Sequence, residues 1–265
     1  MIDPAKIVAQ FGEQQVLAFF LVLARLAPLF VIAPLFSSSL VPARARAVVA
    51  VGLAVGLSPV AVAAGGGPAV VRDVFELAAL LIKEMLVGLA FAYALAVMHA
   101  ALTTAGALLD TLIGFSYGAL VDPVTGNQSS VLSQLYGLVG VAVFIAIGGD
   151  EWVIRGLART YEIVPLLDAP ALGSLVEGAV KGFAGVFSAA VEVCAPVLLA
   201  LVITDAAFGV VSRVVPQLNV FAVGFPAKVT VGLVLVGASL PFVGGWLNDE
   251  LQGSVAAALQ TLRVG

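Results

Sequence analysis

Residues 74–109 read VFELAALLIKEMLVGLAFAYALAVMHAALTTAGALL. Lys83 and Glu84 sit inside this run, no proline breaks it, and it outlasts one bilayer crossing, which takes about 20 apolar residues. As one helix rising about 1.5 Å per residue it is nearly twice as long as a hydrocarbon core is thick, so it must tilt, bend or protrude. A run this long and this apolar decides the fold class: an all-α integral membrane protein.

The neighbouring segments repeat the pattern. Upstream, the apolar run from Val16 to Phe36 is interrupted by Arg25, Pro28 and Pro34. A polar hinge, Ser37-Ser38-Ser39-Leu40-Val41-Pro42, leads past Arg44 and Arg46 into a second run, Ala47 to Ala64, which holds Gly52, Gly56 and Pro59. Gly65-Gly66-Gly67-Pro68 then breaks the chain before the long run. Downstream, residues 110–130 (DTLIGFSYGALVDPVTGNQSS) differ in character. Gly114, Gly118 and Gly126 loosen this segment, and Asp122-Pro123 and Gly126-Asn127 read as turns, yet Ile113, Phe115, Tyr117 and Leu120 dot it with bulk. A fourth run, Val131 to Ile147, stops at Gly148-Gly149-Asp150. From Glu151 to Pro165, apolar Trp152, Ile154, Leu157, Tyr161 and Ile163 alternate with Arg155, Arg159 and Glu162, whose spacing puts them on one helical face. That spacing predicts an amphipathic helix at an interface or against a partner.

The last third reads as one helical hairpin, with arms from about Val180 to Val211 and from about Leu218 to Leu247, and a tip at Arg213 to Asn219. Asp205 lies 11 residues before Pro216 and Lys228 lies 12 after it, so antiparallel arms place the two at similar depth. An isolated charge in apolar surroundings is costly and pairing is the usual remedy. Asp205 and Lys228 are therefore expected to face each other or a shared neighbouring subunit.

Composition agrees. Of the 265 residues, 62% are hydrophobic and 11% charged, and a water-soluble fold of this size cannot hide that much apolar surface. The mean hydropathy is +1.15. The 28 glycines suit helices that pack closely in membranes. A net charge of −4 with no basic patch argues against nucleic acid. Cys194 cannot form an internal disulfide, and one histidine, His99, leaves no zinc-type ligand set, so no metal or other cofactor is expected. The start, MIDPAKIVAQFGEQQ, is too acidic and polar for a cleaved signal peptide, so the first run is expected to remain as the first helix.

If about six runs all cross, Arg44, Arg46 and Arg213 fall on one side and Lys6, Arg72, Arg155, Arg159 and Arg263 on the other. That gives no clear positive-inside signal. Together with the prolines and charges inside the runs, it points to helices that face other protein. No phosphate-binding loop occurs: Gly65-Gly66-Gly67 has no Lys-Ser/Thr behind it and reads as a connector. His99 reads as packed or interfacial. Asp110 and Asp122 could form an acid–base pair, but Asp122-Pro123 is more simply a turn. No enzyme activity is expected.

Three stretches resemble the FliR family of flagellar type III export gates and its injectisome relatives. They are APLFSSSLVPARARAVVAVGLAVGLSP at 33–59, GALLDTLIGFSYGALVDPVTGNQSSVL at 106–132, and VPQLNVFAVGFPAKVTVGL at 215–233, where Phe225-Pro226 follows a Pro-Gln-Leu-Asn tip. One position departs: many relatives carry Gly-Gly-His where this chain has Gly148-Gly149-Asp150. The Val-Asp-Pro-x-x-Gly segment resembles the flagellar branch more than the injectisome branch. The resemblance implies a FliP-like part, 1–175, followed by a FliQ-like hairpin, 176–265. It also implies one copy assembled with FliP and FliQ subunits in the bacterial inner membrane, at the flagellar basal body, with FlhA- and FlhB-type components nearby and unfolded protein as substrate.

By the same resemblance, the segment at 106–130 is a gating plug formed by Ile113, Gly114, Phe115, Tyr117, Gly118 and Leu120. A mobile apolar obstruction closes a pore by sterics and dewetting. The alternative is a packed re-entrant loop without gating. Arg25, Lys83, Glu84, Glu192, Asp205 and Lys228 are the expected buried charge pairs or subunit contacts. The rival function is a secondary transporter whose midplane site would use Lys83, Glu84, Glu192 and Asp205, although the inverted repeats of that class are not visible. A third reading is a structural membrane scaffold.

Overall fold

The structure is a computed structural model, and it describes residues 13–33, 36–37, 41–65, 73–115, 130–217 and 219–263. Among them the chain is all helix: α1 Glu13–Ile32, α2 Ala43–Ala63, α3 Val74–Ile113, α4 Val131–Ala146, α5 Gly149–Ile163, α6 Leu172–Val214 and α7 Val220–Arg263. Five of these are long and apolar enough to cross a membrane, and α4 with α5 makes a sixth if the bent pair counts as one span. The protein is an integral membrane protein.

Local chemistry sets the ends. The α3 helix stops where Gly114 turns left-handed at φ +103° and the Gly114 and Phe115 amides both donate back to the Asp110 carbonyl at 3.1 Å. The Ser130 hydroxyl caps α4 by accepting from the Ser133 amide at 3.1 Å. Between α4 and α5 the axis bends by 75°, made possible by Gly148 at φ +66°. The hairpin arms run further than their hydropathy suggests, over Leu172–Val214 and Val220–Arg263. The extra residues, such as Glu177, Asn248, Asp249 and Gln252, are polar and escape a hydropathy reading, yet they are good or tolerable helix residues. Pro28, Pro59, Pro196, Pro226 and Pro241 all lie inside helices. Each removes one backbone donor from its ladder.

By contacts the chain forms two compact units. One draws on 1–97, 148–183 and 251–265, the other on 98–147 and 184–250. In the first, α2 packs on α1 and α5. Val87, Val164 and Leu262 form a buried cluster bordered by Ala90, Ile163 and Leu175, and Tyr93 donates its hydroxyl to the Ala179 carbonyl at 3.0 Å. In the second, α4 lies close along the end of α3. A Cβ on Gly106 would overlap the Leu132 carbonyl, and the Asp110 carboxylate accepts from the Leu132 amide at 3.3 Å.

Candidate functional site

The most developed polar cluster lies in the first unit, around Arg25 on α1. Arg25 is fully buried and Glu84 on α3 nearly so, and Arg25 Nε donates to Glu84 Oε2 at 2.5 Å. Arg25 Nη1 reaches the Thr160 hydroxyl at 3.2 Å and Nη2 the Val164 carbonyl at 2.9 Å. The guanidinium also stacks over the Tyr161 ring, 4.1 Å from its centroid. Gly88, one turn after Glu84, lets α3 come so near that a Cβ there would overlap the Arg25 carbonyl. A buried arginine is tolerable only when its charge is matched and its donors occupied. Here α1, α3 and α5 supply both.

Arg25 and Glu84 were legible as charges inside apolar runs; their partners Thr160, Tyr161 and Val164 were not. The available signal is the amphipathic pattern of α5. Arg155, Arg159 and Glu162 are exposed as expected, while Val153, Leu157, Thr160 and Tyr161 face inward. Trp152, expected on the apolar side, is exposed instead, and Val153 takes the buried place. The Tyr161 hydroxyl is buried with no hydrogen-bond partner among the described residues.

In the second unit Lys228 Nζ donates to Asp205 Oδ2 at 2.7 Å, joining the arms of the hairpin near its tip. The pair lies on the surface of the chain rather than inside it, with Lys228 19% and Asp205 52% exposed. Lys83 is half-buried and Glu192 exposed, and neither pairs with a described side chain. Of the four groups named for a transporter site, Glu84 is held by Arg25 within the first unit and Asp205 by Lys228 within the second. His99 packs beside Gly137 and Gly140. Of the expected plug residues, Ile113 is the last helical residue of α3 and lies buried against Gly232. Gly114 makes the left-handed turn and Phe115 is half-buried. Tyr117, Gly118 and Leu120 lie outside the described residues, as do Asp122-Pro123 and Gly66-Gly67-Pro68.

Residues 16–254 match the family described as bacterial export proteins, family 1. The chain belongs to this family. Among its relatives, the flagellar biosynthetic protein FliR of Bacillus subtilis (strain 168) is 32% identical over 222 residues, 83% of this chain and 84% of its own length. The protein of the same name from Escherichia coli (strain K12) is 27% identical over 227 residues, 85% of each chain. Yop proteins translocation protein T of Yersinia pestis is 26% identical over 232 residues, 86% of this chain and 88% of its own. The part matched to the bacterial export family contains both charge pairs, the Gly106 and Gly88 approaches and the whole of the expected plug, so none of these features is an appendage to the family fold.

Proposed function

We propose that the chain is a subunit of a bacterial type III protein export gate, of the flagellar branch, in the inner membrane at the flagellar basal body. The observation that carries this reading is likeness along nearly the full chain to relatives named for flagellar biosynthesis and for Yop translocation. The flagellar branch is supported by the Val-Asp-Pro-x-x-Gly segment at 121–126 and by the 32% identity to the Bacillus relative, while the Escherichia coli relative at 27% and the Yersinia one at 26% do not separate the branches. The function is conduction of other proteins and not catalysis on a bound small molecule.

The surface supports assembly with other chains. Phe75 is 82% exposed, Phe183 75% and Val48 71%, and Lys83, Glu192 and the Asp205–Lys228 pair lie on helices that also expose large apolar residues. Lipid accommodates the first kind of residue but not the second. Partner helices accommodate both. In this reading the partners are FliP and FliQ subunits, with FlhA- and FlhB-type components beside them, and unfolded protein is the cargo. Residues 1–175 act as the FliP-like part and 176–265 as the FliQ-like hairpin. The segment after α3 acts as the plug, anchored by buried Ile113 and turned at Gly114.

Native mass spectrometry of the tagged chain, purified in mild detergent from its host, tests the assembly. One copy with several copies of two small hydrophobic partners is the expected result; a monomer or small homo-oligomer that binds a solute overturns it in favour of a transporter. Deleting residues 113–120 tests the plug: ion leakage through the assembled complex should rise, and an unchanged conductance removes gating from that segment.

A further inference from the structure

Asp110 holds two chain ends at once, one with its backbone and one with its side chain. Its carbonyl accepts from the Gly114 and Phe115 amides, each at 3.1 Å, and so ends α3. Its carboxylate accepts from the Leu132 amide at 3.3 Å, at the start of α4. Asp110 is buried, so protein donors stand where water would otherwise serve.

The Leu132 amide needs an acceptor from outside its own helix. The first ladder bond of α4 runs from the Gln134 amide to the Ser130 carbonyl at 3.1 Å, and amides before it have no acceptor within the helix. The Ser130 hydroxyl takes the Ser133 amide, which is a local cap. Leu132 is capped from α3 instead. A carboxylate at a helix N-terminus also meets the positive end of the helix dipole. Gly106, one turn before Asp110 on the same face of α3, has no Cβ to strike the Leu132 carbonyl, which leaves α4 room to reach the carboxylate. Farther on, Gly137 lies by Thr103 and Gly140 by Leu102, so α4 runs back along α3. Residues 114–130 separate the two helices. Neighbouring helices in bundles join through about 2–8 residues, and a connection this long does not set their register. Contacts between the helices must set it, and Asp110 supplies a polar one at the corner itself.

We propose that Asp110 is a positioning residue of the export gate. It ties the start of α4 to the end of α3 and so fixes the two points from which the connection between them departs. This rests on the export-gate reading, in which the chain following α3 obstructs the pore. Without the tie, α4 shifts against α3 and the obstruction loses its seat.

Two measurements on Asp110→Ala test this, with Asp110→Asn as the conservative variant because its side chain keeps an oxygen for the Leu132 amide. In the full chain in lipid nanodiscs, hydrogen exchange at Leu132 should speed up about tenfold in Asp110→Ala, as for loss of one buried hydrogen bond, and by less than about threefold in Asp110→Asn. The Ser133 amide keeps its local cap and should change by less than about threefold in both. In the complex purified from the host, with its composition checked by native mass spectrometry, ion leakage should rise about tenfold in Asp110→Ala and return close to the unsubstituted level in Asp110→Asn. Asp110→Ser, whose oxygen sits one bond short of the carboxylate's, replaces the alanine variant should that one not assemble. Unchanged exchange at Leu132, or an equal rise at Ser133, overturns the tie. Unchanged leakage in a complex of normal composition overturns the positioning role and leaves the export-gate reading standing, as does equal leakage in Asp110→Asn and Asp110→Ala. Failure of the unsubstituted chain to enter any hetero-oligomer overturns that reading, and the positioning role with it.

Discussion

The two charge pairs of this chain sit in opposite surroundings, and their substitution should give opposite signatures. Arg25 and Glu84 are buried, so removing one partner leaves an unmatched charge with nowhere to go. Arg25→Met should lower the unfolding free energy of the detergent-solubilised chain by about 3–5 kcal/mol, and Arg25→Met with Glu84→Met should lie closer to the unsubstituted protein than Arg25→Met alone. Thermal unfolding of the set reads this, and a double variant worse than the single would show that the pair is not the unit. Asp205 and Lys228 are open to the surface, where a pair contributes at most about 1 kcal/mol. Asp205→Asn should leave the melting of the isolated chain almost unchanged yet reduce recovery of the assembled complex. Leu167→Gly should stabilise the isolated chain by about 1 kcal/mol by relieving a positive φ, and a loss in the same melt would mean that its side-chain packing outweighs the strain. The two pairs also differed in legibility. The tip at Pro216 fixes an antiparallel register, so Asp205 and Lys228 could be matched by counting. Arg25 and Glu84 are 59 residues apart with no such tip between them, and only packing brings them together.

Among the helices, glycine does two different jobs that the sequence does not distinguish. Gly88 and Gly106 lie where an added Cβ would strike backbone, the Arg25 carbonyl in one case and the Leu132–Ser133 peptide in the other. Backbone cannot rotate aside as a side chain can, so Gly88→Ala or Gly106→Ala should cost about 3 kcal/mol or more by forcing α1 from α3, or α4 from α3. Gly52 and Gly56 on α2 meet nothing within 4 Å. There alanine should raise the stability of the isolated chain by about 0.5–1 kcal/mol through helix propensity alone. Chemical denaturation of the four variants checks the sign at each site, and a uniform response across them would remove the distinction. Helix existence was legible throughout, because apolar runs and Gly/Pro breakers write it directly. Helix length was legible to about one turn where the helix stays apolar almost to its end, as in α3, whose apolar run stops at Leu109 while the helix continues through Asp110 to Ile113. The polar ends of α6 and α7, beyond Val180 and Leu247, carry no hydropathy signal and follow from helix continuation and packing such as Gly178 against Thr261.

At the scale of the molecule the question is what covers the outer surface. Lys83 on α3 and Glu192 midway along α6 stand without a described partner on helices apolar enough for the bilayer. If these faces met lipid, each charge would oppose insertion by about 2.5–3.5 kcal/mol at the helix centre, and removing it would help. Lys83→Met and Glu192→Gln would then raise the yield of folded chain in membranes whether or not other subunits are present. If the faces meet partner helices that carry complementary groups, neutralisation strands the partner's charge instead, and the cost falls on assembly alone. We expect the second pattern. The isolated chain should melt within about 0.5 kcal/mol of the unsubstituted protein, the usual range for a surface change, while the amount of hetero-oligomer recovered at equal expression drops about tenfold. Quantitative native mass spectrometry, run with and without co-expressed partners, separates the two. A gain in yield without partners assigns these faces to lipid and leaves the assembly to be carried by the apolar surface around them.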